Sequence, residues 1–190
     1  MNIRGTQTEK NLIQAFTGES QAQNRYKFYA SQAEKEGFDV IARTFHELAA
    51  QEGEHARCFF EYLQGGKVEF CMTIQSTKIG DTRANLRAAA QIEREEWSDL
   101  YPKFAEEARS EGFDEVANRF QSIAFCERQH EIRFSQILKR LESNTLFHSD
   151  SSVKWQCTRC GYVLDGTDAP EKCPACDGNR GAFQMINDEL

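Results

Sequence analysis

No run of apolar residues in the 190-residue chain approaches the ~18 needed to cross a bilayer, which argues against a spanning helix. Positive charge is also in short supply: 23 basic residues face 30 acidic ones, and a net charge of −7 argues against nucleic acid as a partner. The opening MNIRGTQTEK lacks the apolar core of a secretory signal. Without such a signal the closing NDEL, superficially like a retention address, has no meaning as one. The expectation is a cytoplasmic protein. Disulfides are rare in that compartment, so the seven cysteines need another use.

Three of them, Cys58, Cys71 and Cys126, are scattered and read as small hydrophobes or plain surface thiols. The other four, Cys157, Cys160, Cys173 and Cys176, fall within twenty residues. Histidine is scarcer still, at four residues. Two of these occur in one pattern, Glu52-x-x-His55 and Glu127-x-x-His130, 75 residues apart. His46 and His148 have no such partner and read as surface residues.

The separation of 75 is an internal repeat. KEGFDVIARTF at 35–45 matches SEGFDEVANRF at 110–120, and Tyr26/Tyr101 and Ala30/Ala105 keep the offset. Each copy reads as a helical hairpin. The first helix, from about Thr8 to Lys35, aligns Leu12, Ala15, Phe16, Glu19, Ala22, Tyr26, Tyr29 and Ala33. EGFD breaks it, and Asp39 is the expected N-cap of a second helix with Ile41, Phe45, Leu48, Glu52, His55, Phe59 and Leu63 on one stripe. The third helix starts near Asp81 and carries Leu86, Ala89, Glu93, Trp97, Leu100, Phe104 and Ala108. The fourth starts at Asp114 and carries Val116, Phe120, Ile123, Glu127, His130, Phe134, Ile137 and Leu141. Short loops make each hairpin antiparallel, and the stretch 65–80 is long enough to cross the end of a bundle. Four helices with one long crossover describe an all-α, ferritin-like bundle.

Glu19, Glu52, Glu93 and Glu127 therefore lie on apolar stripes, one to a helix. Four converging carboxylates would not tolerate burial together without countercharge. A pair of cations supplies it. Glu-x-x-His places both side chains on one helical face, so two such helices present two histidines and two carboxylates, and the other two helices add a Glu each. This is the arrangement of di-iron and di-manganese carboxylate bundles, and imidazole with hard carboxylates suits those metals. Glu96, three residues after Glu93, is a seventh candidate; Glu54 and Glu95 point sideways and read as solvated.

The tail, CTRCGYVLDGTDAPEKCPACDG, holds two C-x2-C knuckles twelve residues apart, a tetrahedral thiolate site for zinc or a single iron. Trp155, Tyr162 and Phe183 would give it a small apolar core. A polar stretch precedes it.

Together these motifs resemble the rubrerythrin family over about residues 8–188. The expected organisation is a ferritin-like bundle over 1–145, a linker over 146–152 and a small rubredoxin-like β/loop metal domain over 153–190. The resemblance implies a di-iron site at Glu19, Glu52, His55, Glu93, Glu96, Glu127 and His130, and one iron on Cys157, Cys160, Cys173 and Cys176, with zinc as a possible substitute. It implies Glu52 and Glu127 as bridging carboxylates, Glu19 and Glu93 as terminal ones, and an iron that moves between His55 and Glu96 with redox state. It also implies a cytoplasmic peroxidase that reduces hydrogen peroxide to water, fed by an electron-donating reductase or rubredoxin. An iron-storage protein and a zinc-stapled interaction protein are the competing classes. Tyr26 and Tyr101 match family tyrosines near the site, and by sequence could equally be core aromatics. Asp177 departs from the glycine usual after the last cysteine of free rubredoxins.

Two structural expectations follow. Glu19 and Tyr26 are seven apart but Glu93 and Tyr101 eight, with Pro102 next, which predicts a π-bulge or kink between Glu93 and Pro102. His130 to Leu141 spans about 16 Å of helix, so the tail iron should lie far from its own chain's di-iron site. An extended linker would let each tail serve its neighbour in a head-to-tail homodimer.

Overall fold

Thr6 opens the first helix: its hydroxyl accepts the Glu9 amide at 3.1 Å while the Glu9 carboxylate takes the Gly5 amide at 2.8 Å, satisfying two donors that a helix start leaves orphaned. In the computed structural model, which describes residues 2–186, this helix, α1, runs over Gln7–Lys35. It closes where Gly37 takes φ +80° and the Phe38 amide returns to the Ala33 carbonyl, a left-handed closure that glycine adopts without a Cβ penalty. The second helix, α2 (Asp39–Phe60), follows at once. Asp39 is its first residue and not its cap; Phe38 holds that position with no side-chain bond. The turn that closes α1 fixes the entry into α2, and the Asp39 carboxylate instead accepts from Arg159 Nε at 2.7 Å. Leu63 lies in the loop beyond α2, half-buried.

The crossover, residues 61–81, leads to α3 (Thr82–Glu95), capped by Asp81, whose carboxylate accepts the Ala84 amide at 2.7 Å. The helix does not stop there. A five-residue π turn, Glu96–Leu100, carries it into α4 (Tyr101–Ser110), and the Tyr101 amide bonds the Glu96 carbonyl five residues back. The extra residue of the second copy is absorbed at the predicted place, just ahead of Pro102. The last helix, α5 (Asp114–Glu142), begins after a second left-handed turn at Gly112, φ +81°.

The core falls into two aromatic layers. Tyr26, Tyr29, Phe45, Leu86 and Phe134 lead one, and Leu12, Phe59, Tyr101, Phe104 and Phe120 the other. Along α1, α2, α3 with its continuation α4, and α5, Glu19, Glu52, Glu93 and Glu127 come between the residues of the two layers. No helix among the described residues is long and apolar enough to cross a membrane.

The tail is a three-stranded antiparallel sheet, β1 (His148–Cys157), β2 (Val163–Asp168) and β3 (Phe183–Ile186), in the order β2-β1-β3. Residues 148–152, expected within an extended linker, instead form the start of β1, with an irregular register between His148 and Val153. The preceding turn is clamped because Arg140 Nη2 donates to the carbonyls of Thr145 (2.9 Å) and Leu146 (3.2 Å). Trp155 and Phe183 are buried, but Tyr162 is 37% exposed and outside the core. Its backbone is committed to the knuckle, its carbonyl accepting the Cys157 amide at 2.8 Å, and its ring is left outward. The end of the rubredoxin-like domain, residues 187–190 with NDEL, lies outside the described residues.

The tail is seated on its own chain at the α1–α2 turn. Phe38 stacks on Phe147 with centroids 6.5 Å apart and planes 8° from parallel. The two backbones meet so closely that a Cβ on Gly181 would stand 1.6 Å from the Gly37 carbonyl oxygen, so only glycine fits there.

Candidate metal centres

Glu19, Glu52, Glu93 and Glu127 are each at most 1% exposed, and His130 is 4% exposed. These residues and the half-buried His55 form two groups: Glu19, Glu52, His55 and Glu127, and Glu52, Glu93, Glu127 and His130, each with one donor atom per residue within 4.8 Å of the others. Glu52 and Glu127 belong to both. The His55 Nδ1 lies 2.8 Å from Glu127 Oε1 and 4.0 Å from Glu19 Oε2. The His130 Nδ1 lies 3.0 Å from Glu52 Oε1 and 2.8 Å from Glu127 Oε2. Yet Glu19 Oε2, Glu52 Oε1, Glu93 Oε2, both Glu127 oxygens and His130 Nδ1 have no aligned hydrogen bond. Buried polar atoms are seldom left so. Their lone pairs converge on shared points in space instead of on each other, which is what a cation needs.

The electrostatics say the same. Burial, then the like charge of neighbouring carboxylates, holds Glu19, Glu93 and Glu96 well above the usual carboxylate range. Burial alone would raise Glu52 too, but the close approach of His130 and His55 pulls it down to about 2. Burial disfavours a charged His55, but Glu127 and Glu52 outweigh it and push it up to about 11; His130 is raised for the same reasons. A cation bound at these groups would displace their protons.

Partners behind the first ring of groups fix it in place. His130 Nε2 lies 2.9 Å from Gln51 Oε1, which keeps a proton on Nε2 and makes Nδ1, facing the carboxylates, the atom that gives up its proton to a metal. Tyr26 donates to Glu93 Oε1, and Tyr101 to Glu19 Oε1. Each tyrosine thus serves the other copy's glutamate. Both hydroxyls are buried, held well above their ordinary pKa by burial and by the nearby carboxylates.

In the tail, Cys157, Cys160, Cys173 and Cys176 bring their sulfurs within 4.8 Å of one another. The pairs Cys157–Cys176 and Cys160–Cys173 are 3.8 and 3.6 Å apart. A tetrahedron with metal–sulfur bonds of ~2.3 Å has edges of ~3.8 Å, so the donor set fits a single ion. The Tyr162 amide points at Cys160, those of Ala175 and Cys176 at Cys173, and that of Gly178 at Cys176. Asp177 takes φ +55°, so the left-handed turn that glycine usually makes survives, and with it the Gly178 contact.

Comparison with known proteins bears on both halves. The rubrerythrin family model matches residues 10–138, and the model of the rubrerythrin rubredoxin-like domain matches 155–184. The chain belongs to the rubrerythrin family. It is 48% identical to the rubrerythrin of Porphyromonas gingivalis (97% of this chain, 92% of that one) and 44% identical to that of Nitratidesulfovibrio vulgaris (97% of each). Among solved structures, nigerythrin in a partially reduced state is 26% identical, with a TM-score of 0.64 over 96% of this chain and 90% of that one. As a rubrerythrin, the chain carries a di-iron carboxylate–histidine site and a four-cysteine rubredoxin-like iron site.

Of the residues picked out by sequence, Glu96 alone stands outside both bundle groups. It sits in the π turn, half-buried, with Glu93, Glu127 and Glu52 close enough to raise its pKa and Arg25 close enough to oppose them. Its Oε1 faces Gly18, where an added Cβ would come within 3.9 Å. Glu54 is exposed, and Glu95 is half-buried, accepting from Gln75 and Gln91. His46 faces Glu34 at 3.4 Å and His148 faces Asp168 at 2.9 Å, both at the surface. Of the scattered cysteines, Cys58 is half-buried and Cys71 and Cys126 are exposed. Sequence reasoning missed Gln51 and Arg25, because an amide or a guanidinium one turn from a motif carries no spacing signal of its own.

Loading the rubrerythrin site is expected to release protons. Its ligands bind metal only when deprotonated, and Glu19, Glu93, Glu96, His55 and His130 all hold protons above their ordinary pKa in the metal-free fold. Affinity should therefore climb with pH above the ordinary carboxylate range, and for His55 until about 11. Calorimetry of manganese(II) binding in two buffers of different ionisation enthalpy measures this directly. A heat that does not depend on the buffer would contradict it.

Proposed function

We propose that this rubrerythrin is a non-haem peroxidase of oxidative-stress defence, reducing hydrogen peroxide to water with electrons relayed through the tail iron. The observation that carries this reading is a pair of four-residue groups sharing Glu52 and Glu127, in the same chain as a separate tetrathiolate site. An iron-storage protein has no use for the second, and a zinc-stapled module has no use for the first. In this reading Glu52 and Glu127 would serve both ions, with Glu19 and His55 holding one and Glu93 and His130 the other. One ion would move between His55 and Glu96 as the redox state changes, as the family resemblance implies. Cys157, Cys160, Cys173 and Cys176 hold the relay iron.

When bound, the ferrous pair supplies the two electrons that split the O–O bond. The chain's own task is positional. The aromatic layers on either side keep water out, and Tyr26 and Tyr101 hold protons beside Glu93 and Glu19. Gln51 fixes His130, whereas its counterpart 75 residues on is Cys126, which offers no amide to His55. His55 is thereby the ring free to withdraw. A cavity of about 60 Å³, bounded by Gly18, Arg25, Met72, Ile92 and Glu96, gives peroxide room beside the exchanging carboxylate.

The tail's seat supports a head-to-tail homodimer. Arg159, beside the cysteine knuckles, grips Asp39, and Asp39 to Glu52 along α2 is about 20 Å. A groove of about 640 Å³ over Gln51, His55, Cys126, Gln129, His130 and Arg133 leaves the histidines approachable by a second chain. Because residues 148–152 are strand and not tether, trans pairing has to come from docking of whole chains. A cytoplasmic location agrees with the use of cysteine as metal ligand and lone thiol, and there a reductase or a rubredoxin would donate the electrons. Anaerobically reduced, iron-loaded protein mixed with hydrogen peroxide should consume it and regain the red colour of a ferric tetrathiolate. Peroxide that persists, or colour that returns only with dioxygen, would overturn the reading.

A further inference from the structure

The two hydrogen-bonded tyrosines match across the repeat, but what lies behind them does not. Tyr26 has Phe45 and Phe134 beside it, at 5.9 and 5.2 Å between ring centroids. Tyr101 has Phe120 and Phe59, at 6.0 and 5.5 Å. Each phenylalanine of one pair has its counterpart 75 residues away in the other. The next ring breaks the match: Tyr29, 6.3 Å from Tyr26, corresponds to Phe104, 6.4 Å from Tyr101.

Tyr29 is 1% exposed, yet its hydroxyl donates to Thr77 Oγ1 at 2.9 Å on the exposed crossover. A groove of about 710 Å³ opens there, bounded by Phe28, Tyr29, Ile74, Thr77 and Ile79. From Glu93 outward, one half of the bundle thus holds two phenols in series and reaches solvent. The other half stops at a ring with no O–H to lose.

We propose that Tyr26 and Tyr29 form a one-electron relay between the two-metal site and this groove, a second electron entry independent of the thiolate iron. It rests on the peroxidase reading. The relay acts when the pair is half reduced, a state that one-at-a-time delivery from the tail must pass through. Splitting hydrogen peroxide into two waters takes two electrons and two protons. One electron then comes from the remaining ferrous ion and the other from Tyr26, whose O–H proton moves to Glu93 Oε1; both protons for water come from solvent. An electron from Tyr29 refills Tyr26, which takes its proton back from Glu93, while the Tyr29 proton leaves by Thr77. A small one-electron donor of the ascorbate type, at the groove, restores Tyr29 with one electron and one proton.

The test is freeze-quenched electron paramagnetic resonance on iron-loaded, full-length protein poised in the mixed-valence state and mixed with one equivalent of hydrogen peroxide. The expected result is loss of the mixed-valence signal and appearance of a tyrosyl radical that ascorbate quenches. In Tyr26→Phe the radical should be lost and the mixed-valence signal should decay many-fold more slowly, because the ferrous ion supplies only one of the two electrons; a full mixed-valence signal before peroxide is added shows the variant folded and loaded. In Tyr29→Phe the radical should persist but resist ascorbate. Oxidation of the wild-type pair with no radical, or a radical undiminished in Tyr26→Phe, would overturn the relay and leave the peroxidase reading standing. A pair that peroxide does not oxidise would sink both.

Discussion

Glu127→Ala, and separately Glu52→Ala, should reduce the iron content from three ions per chain to one and abolish peroxide turnover, while the tail keeps its full red colour. The size of the effect follows from sharing. Glu52 and Glu127 each belong to both groups, so removing either strips a donor from both ions at once, whereas Glu19 or Glu93 serves only one. The tail has its own donors, its own apolar cluster of Trp155, Ala182 and Phe183, and a seat on the α1–α2 turn far along the helix from the substitution. Metal analysis and the visible spectrum of iron-reconstituted protein report the two sites separately. Three ions per chain in either variant would refute the bridging assignment.

The second large effect concerns the path of the electrons. In a mixed dimer, one chain carries Cys157→Ser and Cys173→Ser, and the other Glu52→Ala and His130→Ala. If each tail serves its neighbour, one complete pairing survives, and reductant-driven peroxide turnover should persist at half the wild-type level per dimer. Either mutant homodimer should be inactive. The physical ground is distance: within a chain the tail sits about 20 Å of helix away from Glu52, whereas the groove over His55 and His130 faces outward. A mixed dimer as inactive as the homodimers would place the transfer within one chain.

Much of the bundle was legible in the sequence because it is written twice. Repetition at an offset of 75 turned a weak Glu-x-x-His match into a pair, and helical periodicity then showed the four glutamates on apolar stripes. The one-residue excess between Glu93 and Tyr101 located the π turn, since a helix can take in an extra residue only by widening its hydrogen-bond ring. The cysteine knuckles were legible for a simpler reason, in that their spacing is itself the geometry. Expectations failed where a residue's role is set by a distant neighbour. Asp39 reads as a helix cap until Arg159, 120 residues on, claims it. Residues 146–152 read as a linker because polar composition does not show that Arg140 clamps the turn and that β2 pairs with His148.

By itself, then, the sequence determined which side chains face inward, because a helix of fixed pitch converts spacing into direction and apolar periodicity marks the buried face. For the same reason it brought Glu19, Glu52, His55, Glu93, Glu127 and His130 onto inward faces, while the four cysteines were grouped by their knuckle spacing. Only the tertiary structure decided what those side chains meet. It brought Tyr26 to Glu93 and Tyr101 to Glu19 across the repeat, put Gln51 behind His130 and Cys126 in the matching place, and left Tyr29 at a groove where Phe104 is closed in. Such pairings depend on how helices from distant parts of the chain pack together, and no spacing along one helix encodes the residue that arrives from another.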